Sequence, residues 1–368
     1  MDIFEEIWRS LQEEEQIMLA TIISMTGSTP AAELSKMLIR DQGLTAVGTV
    51  GGGCVEGEVL TWARSLYGTG KAKISTFHLD EDDAKSGLIC GGSLDVLVET
   101  LDRSFLPIVK RVIDSRVQGE DGALTTILQN ERSIAKGFVT TAQEEMGFPS
   151  SLEIKDAVLG SVRGVLKTHK VARFNVGGFE VIVEPVASQP SLIIFGGGHV
   201  SKFVSRFAAQ VGFRLMIVDD RVAFANKDRF PEAAEVVCDG FLSAIDQLHI
   251  TANTYIAVIT RGHKSDEAVL ERVINSGAKY IGVIGSRRKI LTAYKHYLEK
   301  GIPRELLERV HGPIGLAIGA VTAEEIALSI VAELVRVRRG GSETVSAKST
   351  GMSQLLASLE ENVARGEA

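Results

Sequence analysis

Between residues 190 and 339, apolar runs and amphipathic stretches alternate in a way that predicts the architecture of that half of the chain. Leu192-Ile193-Ile194-Phe195 is a short continuous apolar run, the pattern of a strand covered on both faces. Val200, Phe203, Val204, Phe207, Ala208 and Val211 then recur at helical spacing, giving one apolar helix face that Gly212 ends. Residues 215–218 form a second strand closing on Asp219, and 235–238, 255–259 and 280–284 read as three more. Helices are expected over about 266–276 and 287–298, followed by a loop containing His311-Gly312-Pro313. A capping box, Thr322-Ala323-Glu324-Glu325, opens a closing helix with Ile326, Ile330 and Leu334 on one side. This alternation predicts a doubly wound parallel sheet, a Rossmann-like domain over 190–339.

The first half, 1–188, reads as an α+β domain. Residues 17–24, 36–39 and 44–47 are strand-like, with Asp41-Gln42-Gly43 as a hairpin turn between the last two. Gly51-Gly52-Gly53 opens a helix with Val55, Val59, Trp62 or Ala63, and Leu66 on one side, and 73–79 and 94–100 are further strands. Residues 104–188 mix helix and strand, and Ser188-Gln189-Pro190 marks the boundary between the domains. Residues 340–368 read as a flexible tail in which Met352, Leu355, Leu356 and Leu359 can form a short helix.

Composition narrows the function classes. Forty basic against 47 acidic residues leave a net charge of −7, which argues against the salt-driven phosphate contacts of a general nucleic-acid binder. Three cysteines cannot form a disulfide framework and fall short of the ligands for even one ordinary iron–sulfur cluster. No run reaches the roughly 18 apolar residues of a membrane span, and the acidic stretch before Gln16 lacks a signal-peptide core. A cytoplasmic protein with neither membrane nor nucleic acid as partner is expected, and a homodimer, because symmetric dimers are the commonest soluble oligomers.

Two glycine-rich helix starts carry the candidate chemistry. Gly196-x-Gly198-x-x-Ser201 follows a strand and opens a helix, close to the dinucleotide fingerprint: the glycines allow a tight turn and let backbone approach a pyrophosphate. Asp219, at the end of the next strand, stands where a carboxylate takes ribose hydroxyls, so a nicotinamide nucleotide would bind as NAD rather than NADP. A Gly198→Val change is then expected to block the ligand and spare the fold. In the first domain, Gly51, Gly52 and Gly53 offer amides to an anion, and Cys54 sits in the first helical turn, where the dipole should favour its thiolate. Cys90 precedes Gly91-Gly92. The alternative for both thiols is that of small buried side chains; neither has the spacing of a structural metal site. His199, His263, Asp266 and His311 each fall at or just beyond a strand's C-terminal end, where open α/β sheets bind ligands. Asp266 has the alternative role of a helix cap. Gly285-Ser286-Arg287-Arg288-Lys289 adds cations beside helix amides, a phosphate grip.

These motifs, taken in order, resemble the XdhC/CoxI family of accessory proteins for xanthine dehydrogenase and related molybdenum hydroxylases. The resemblance rests on Thr26-Gly27-Ser28-Thr29-Pro30, Lys36-Met37, residues 48–56, Cys90-Gly91-Gly92, residues 195–200, Val218-Asp219-Asp220-Arg221, His263-x-x-Asp266-Glu267, residues 284–289 and residues 313–320. It implies binding of the molybdenum–pyranopterin cofactor and its delivery, sulfurated, to an apo-hydroxylase such as xanthine dehydrogenase. It also implies a sulfur-donating cysteine desulfurase as partner and a link to purine metabolism. Cofactor contacts are then expected at Gly51, Gly52, Gly53, Cys54, Cys90, Gly196, Gly198, His199, Asp219, Ser286 and Arg287. The competing reading is an NAD-dependent oxidoreductase, for which the sequence offers no clear proton-donor constellation beyond His263 and in which the first-domain cysteines take no part; across both readings the catalytic candidates are Cys54, Cys90, His263 and Asp266. A third, xanthine dehydrogenase itself, fails on the cysteine count.

Overall fold

The computed structural model describes residues 2–79, 92–149 and 152–340. The chain divides into two compact units, with the boundary between Ser188 and Gln189.

The first unit opens on α1 (Ile3–Glu13), which the sequence reading did not anticipate. Its signals are local: the Asp2 carboxylate accepts from Phe4 N–H at 2.9 Å, Glu5 and Glu6 occupy the positive first turn, and Phe4, Ile7 and Leu11 are buried. Strands β1 (Gln16–Thr26), β2 (Lys36–Arg40) and β3 (Thr45–Gly48) follow, then α2 (Gly53–Leu66), β4 (Ala72–His78) and β5 (Ser93–Asp102). They form an antiparallel sheet in the order β3-β2-β1-β5-β4. β1 is buried on both faces. Met18, Ala20 and Ile22 pack with Val55, Val59 and Ala63 of α2, whereas Ile17 and Leu19 pack with α1 residues and with Val109 and Val112. Asp41-Gln42-Gly43 closes the β2–β3 connection as a single 3₁₀ turn.

The rest of this unit comprises α3 (Leu106–Val117), β6 (Gly122–Gln129), β7 (Arg132–Thr140), β8 (Glu145–Met146), α4 (Lys155–Thr168), β9 (Ala172–Val176) and β10 (Phe179–Val186). Its strands make a second five-stranded sheet, β8-β7-β6-β10-β9. Two buried ion pairs join the sheets: Lys36 of β2 with Glu184 of β10 at 2.6 Å, and Lys136 of β7 with Glu99 of β5 at 2.7 Å. Such pairs add little net stability, but losing one partner leaves an uncompensated charge in a low dielectric. They therefore fix how the sheets register.

The second unit runs β11 (Ser191–Phe195), α5 (His199–Gln210), β12 (Arg214–Asp219), β13 (Glu235–Cys238), α6 (Phe241–Asp246), β14 (Thr254–Val258), α7 (His263–Val273), β15 (Tyr280–Val283), α8 (Arg287–Glu299), α9 (Arg304–Leu307), β16 (Val310–His311) and α10 (Ala323–Arg339). All strand pairs are parallel, in the order β13-β12-β11-β14-β15-β16, the doubly wound Rossmann arrangement. Alternate residues of β11 feed two cores. Leu192 and Ile194 face the layer of α5 and α10, and Ile193 and Phe195 face that of α6, α7 and α8. The Thr322 capping box is present, with Glu325 at its third position, and α10 ends on Arg336, Arg338, Arg339 and a left-handed Gly340, charges that match the helix dipole at both ends. Cys90 and the tail from residue 341 on, including the expected short helix around Met352 and Leu359, lie outside the described residues.

Candidate ligand-binding site

The glycine turn after β11 is built as the fingerprint requires but is already engaged. Gly196 has φ +104°, and a Cβ there would lie 2.2 Å from the Ile259 carbonyl oxygen; one on Gly197 would lie 2.2 Å from that of Phe224. The Arg229 guanidinium donates to the carbonyls of Gly197 at 2.8 Å and Gly198 at 3.2 Å. Asp219, fully buried, accepts from Gly197 N–H at 2.8 Å, from Arg221 N–H at 3.1 Å and from the Arg221 side chain at 2.8 and 2.9 Å. Burial alone would raise its pKa, but the bonds from Arg221 and Gly197 outweigh that and hold it below the ordinary aspartate value. Arg221 lies over the Phe224 ring at 3.7 Å.

The expectation of a carboxylate open to ribose is thus corrected: Arg221, two residues on, consumes it, and the segment after β12 folds back over the turn. Ser201, the last position of the fingerprint, is fully buried, and its hydroxyl has no partner among the described residues. His199 is exposed at the start of α5, its ring edge-on to Phe203 at 5.2 Å.

One strand further along, the loops after β14 and β15 meet. They enclose a cavity of about 300 Å³ between α7 and α8, whose wall includes Arg261, Asp266, Glu267, Lys289 and Tyr294. Asp266 accepts from Thr260 N–H at 3.1 Å and from its hydroxyl at 2.6 Å, so it holds the loop after β14 in shape. Arg261 reaches back to Asp220 at 3.0 Å. Ser286 caps α8, accepting from Lys289 N–H. The side chains of Arg287, Arg288 and Lys289 are exposed, with no ion pair among the described residues. His263 supplies the first residue of α7. Two of the loops expected to converge therefore do so, while the glycine turn and His199 stay outside the cavity wall.

His311 has a different environment. Its ring stacks on Tyr280 at 4.3 Å, and its Nδ1 lies 3.3 Å from the buried carboxylate of Glu333. Glu333 also accepts from Tyr280 OH at 2.6 Å, Gly315 N–H at 2.8 Å and Arg336 at 3.3 Å. This network ties α10 to the loop after β16. Sequence reasoning missed Glu333, which lies on a helix face that it reads only as apolar.

The glycine-rich start of α2 follows the same pattern as the turn after β11. Glu56 bends its carboxylate back to Val50 N–H at 3.3 Å, Gly52 N–H at 3.1 Å and the Thr49 hydroxyl, while Gly51 N–H donates to Thr49 at 3.1 Å. The amides of Gly51 and Gly52, expected to be open to a ligand anion, are bonded within the chain. Cys54 is exposed, against the alternative of a buried small residue, and so is Cys238, expected at the end of a buried strand. Among the described residues no three His, Cys, Asp or Glu side chains gather as a metal site, and no helix is long and apolar enough to cross a membrane.

Residues 10–80 match the model of the XdhC and CoxI family, and residues 192–334 match that of the XdhC Rossmann domain. A Bacillus subtilis protein described as a probable subunit of xanthine dehydrogenase is 26% identical over 89% of this chain and 95% of its own length. The Escherichia coli molybdenum cofactor insertion chaperone PaoD is 22% identical over 87% of this chain and 83% of its own. A Bacillus halodurans crystal structure described as a xanthine dehydrogenase shares the fold, with TM-score 0.76 at 24% identity, over 95% of this chain and 99% of that one.

Proposed function

The chain belongs to the XdhC and CoxI family, and on that premise we propose that it is a maturation factor for molybdenum hydroxylases of the xanthine dehydrogenase type. It binds the molybdenum–pyranopterin cofactor and hands it, sulfurated, to the apo-enzyme. A cysteine desulfurase supplies the sulfur, and the protein works as a homodimer. The observation that carries the reading is the alignment, spanning both units, with a protein described as a molybdenum cofactor insertion chaperone.

The residues fit such a cargo. The cofactor has a phosphate, an amino-bearing ring and a soft metal centre; α8 offers cations, and α2 presents an exposed thiol at Cys54. No observation favours the oxidoreductase: the Gly197 amide and the Asp219 carboxylate, which would meet pyrophosphate and ribose, are engaged within the chain. Three cysteines likewise cannot carry the electron-transfer clusters of xanthine dehydrogenase.

Molybdenum co-purifying with the protein, and hydroxylase activity reconstituted from apo-enzyme, test the proposal. Cys54→Ala is expected to lower cofactor retention about tenfold, equivalent to ~1.4 kcal/mol, and Cys90→Ala to act in the same direction. Cys238→Ala, in the other unit, should change neither quantity. Wild-type protein that carries no molybdenum and fails to activate apo-hydroxylase would remove the maturation reading.

A further inference from the structure

A second cavity lies within the first unit. It measures about 340 Å³ and is bounded by the start of α1, by β2 and β3, by the end of β10 and by Arg116 of α3. Small-molecule pockets span roughly 300–1,000 Å³. The wall is apolar at Phe4, Leu34, Val47 and Val186, and three charged residues interrupt it: Lys36, Glu184 and Arg116.

Lys36 and Glu184 are the buried ion pair between the sheets, with side chains 6% and 10% exposed. The pair leaves bonding capacity unused. Lys36 Nζ donates to Glu184 Oε2 at 2.6 Å and to the Thr21 hydroxyl at 3.1 Å, and an ammonium has a third proton. Glu184 Oε1 makes no hydrogen bond among the described residues and stays accessible. Between apolar walls the dielectric is low, so a group that completes these bonds is held more strongly than in water. Arg116 repeats the pattern: Nε donates to the Ala187 carbonyl at 3.1 Å and Nη1 to Asp2, whereas Nη2 has no partner among the described residues. Ala187, which anchors Arg116, lies three residues beyond Glu184, roughly 10 Å along an extended chain.

The charge of this wall selects the chemistry it recognises. The ion pair is neutral as a whole and sets an acceptor beside a donor. An uncharged lactam edge, N–H beside C=O, is its complement: the carboxylate takes the N–H and the ammonium the carbonyl. An amino group next to that N–H gives the carboxylate a second donor. Flat ring faces suit the apolar walls, and the guanidinium suits an anionic substituent.

We propose that this cavity binds a flat amino-lactam heterocycle with an anionic substituent, its amino-lactam edge on Glu184 and Lys36 and its anion on Arg116. The site lies in the same unit as Cys54. That the physiological ligand is the pterin of the molybdenum cofactor rests on the function proposed above; the recognition pattern does not.

Isothermal titration of the full chain with pterin, lumazine and 6-carboxypterin tests the site. Lumazine has a carbonyl where pterin has its amino group, which sets an oxygen against the Glu184 carboxylate. Pterin should therefore bind more tightly than lumazine by about tenfold or more, and 6-carboxypterin more tightly than either. Glu184→Gln should erase the preference for pterin over lumazine. Arg116→Ala should remove only the advantage of 6-carboxypterin, and Arg163→Ala, an exposed cation on α4, should alter nothing. Because Glu184→Gln disturbs a buried pair, Val47→Phe supplies a variant that fills the cavity and keeps the pair. It should lose about tenfold or more in pterin affinity while its circular dichroism stays that of the wild type. A wild-type chain that binds none of the three, or pterin and lumazine equally, would overturn the assignment, as would a folded Val47→Phe protein with wild-type affinity. Co-purified molybdenum cofactor separates the two proposals. If the wild type carries it and folded Val47→Phe carries as much, the site is wrong and the maturation role stands. A wild type that carries none, yet shows the pterin pattern, keeps the site and loses the role.

Discussion

Glu333→Ala should destabilise the Rossmann unit by about 3–5 kcal/mol, the cost of removing one member of a buried charged network. For a unit of this size that corresponds to a fall of roughly 10 °C in melting temperature. The carboxylate is 1% exposed and serves four donors at once: Tyr280 OH, Gly315 N–H, His311 and Arg336. Removing it strands the Tyr280 hydroxyl and the Gly315 amide in a dry interior and takes the Glu333 contact from Arg336. Glu333→Gln, which keeps the shape and an acceptor oxygen, should lose less than half as much. Burial works to raise the Glu333 pKa, but His311, Tyr280 and Gly315 together hold it below the ordinary glutamate value. A depressed native pKa stabilises the fold above the unfolded pKa, about 4.3, and the contribution disappears as pH falls through the native value. The gap between wild type and Glu333→Ala in thermal unfolding should therefore be present at neutral pH and narrow below pH ~4. A gap that is absent at neutral pH would show that the network contributes nothing.

What could be read from the sequence follows the range of the interactions involved. The strand–turn–helix of β11 and α5 is specified within twenty residues by an apolar run, three glycines and a helical apolar stripe, and the structure reproduces it. The capping box of α10 is equally local. The second sheet of the first unit is not, because β6 pairs with β10 across more than fifty intervening residues, and nothing in either strand names its partner. The Lys36–Glu184 pair, 148 residues apart, is invisible for the same reason. β16, two residues long, exists only because β15 offers it an edge. α1 is a different kind of omission: Asp2, the first-turn glutamates and the spacing of Phe4, Ile7 and Leu11 signal a helix, but the acidic content obscured them.

The site shows the same division with one addition. The loops after β14 and β15 were recognisable as ligand-facing by position, since open sheets bind at strand C-termini. That the Gly197 amide, the glycine carbonyls and Asp219 are engaged from within was not recognisable from the glycines. It depends on Arg221 and Arg229 reaching back to Asp219 and to the carbonyls of Gly197 and Gly198. Of these, the Asp219–Arg221 contact spans two residues and was open to inspection as an acid followed closely by an arginine.

The three glycines after β11 should separate cleanly by what they do for the fold. Gly196→Ala is expected to cost about 3 kcal/mol or more. The residue sits at φ +104°, where a side chain is strained by about 1–2 kcal/mol, and the new Cβ would meet the Ile259 carbonyl at 2.2 Å, an overlap worth another 1–3 kcal/mol. Gly197→Ala carries the second cost alone, from the Phe224 carbonyl at 2.2 Å. Gly198 has φ −69°, and nothing lies within 4 Å of a Cβ placed there, so Gly198→Ala should stay within about 0.5 kcal/mol of the wild type. Sequence alone makes Gly198→Val a ligand-blocking change that spares the fold. The open space at Gly198 agrees with the second part, so Gly198→Val should leave stability near wild type. Chemical denaturation of the variants reads these costs, and a Gly198→Val protein that loses more than about 1 kcal/mol would show that the turn is packed more tightly than its open space implies.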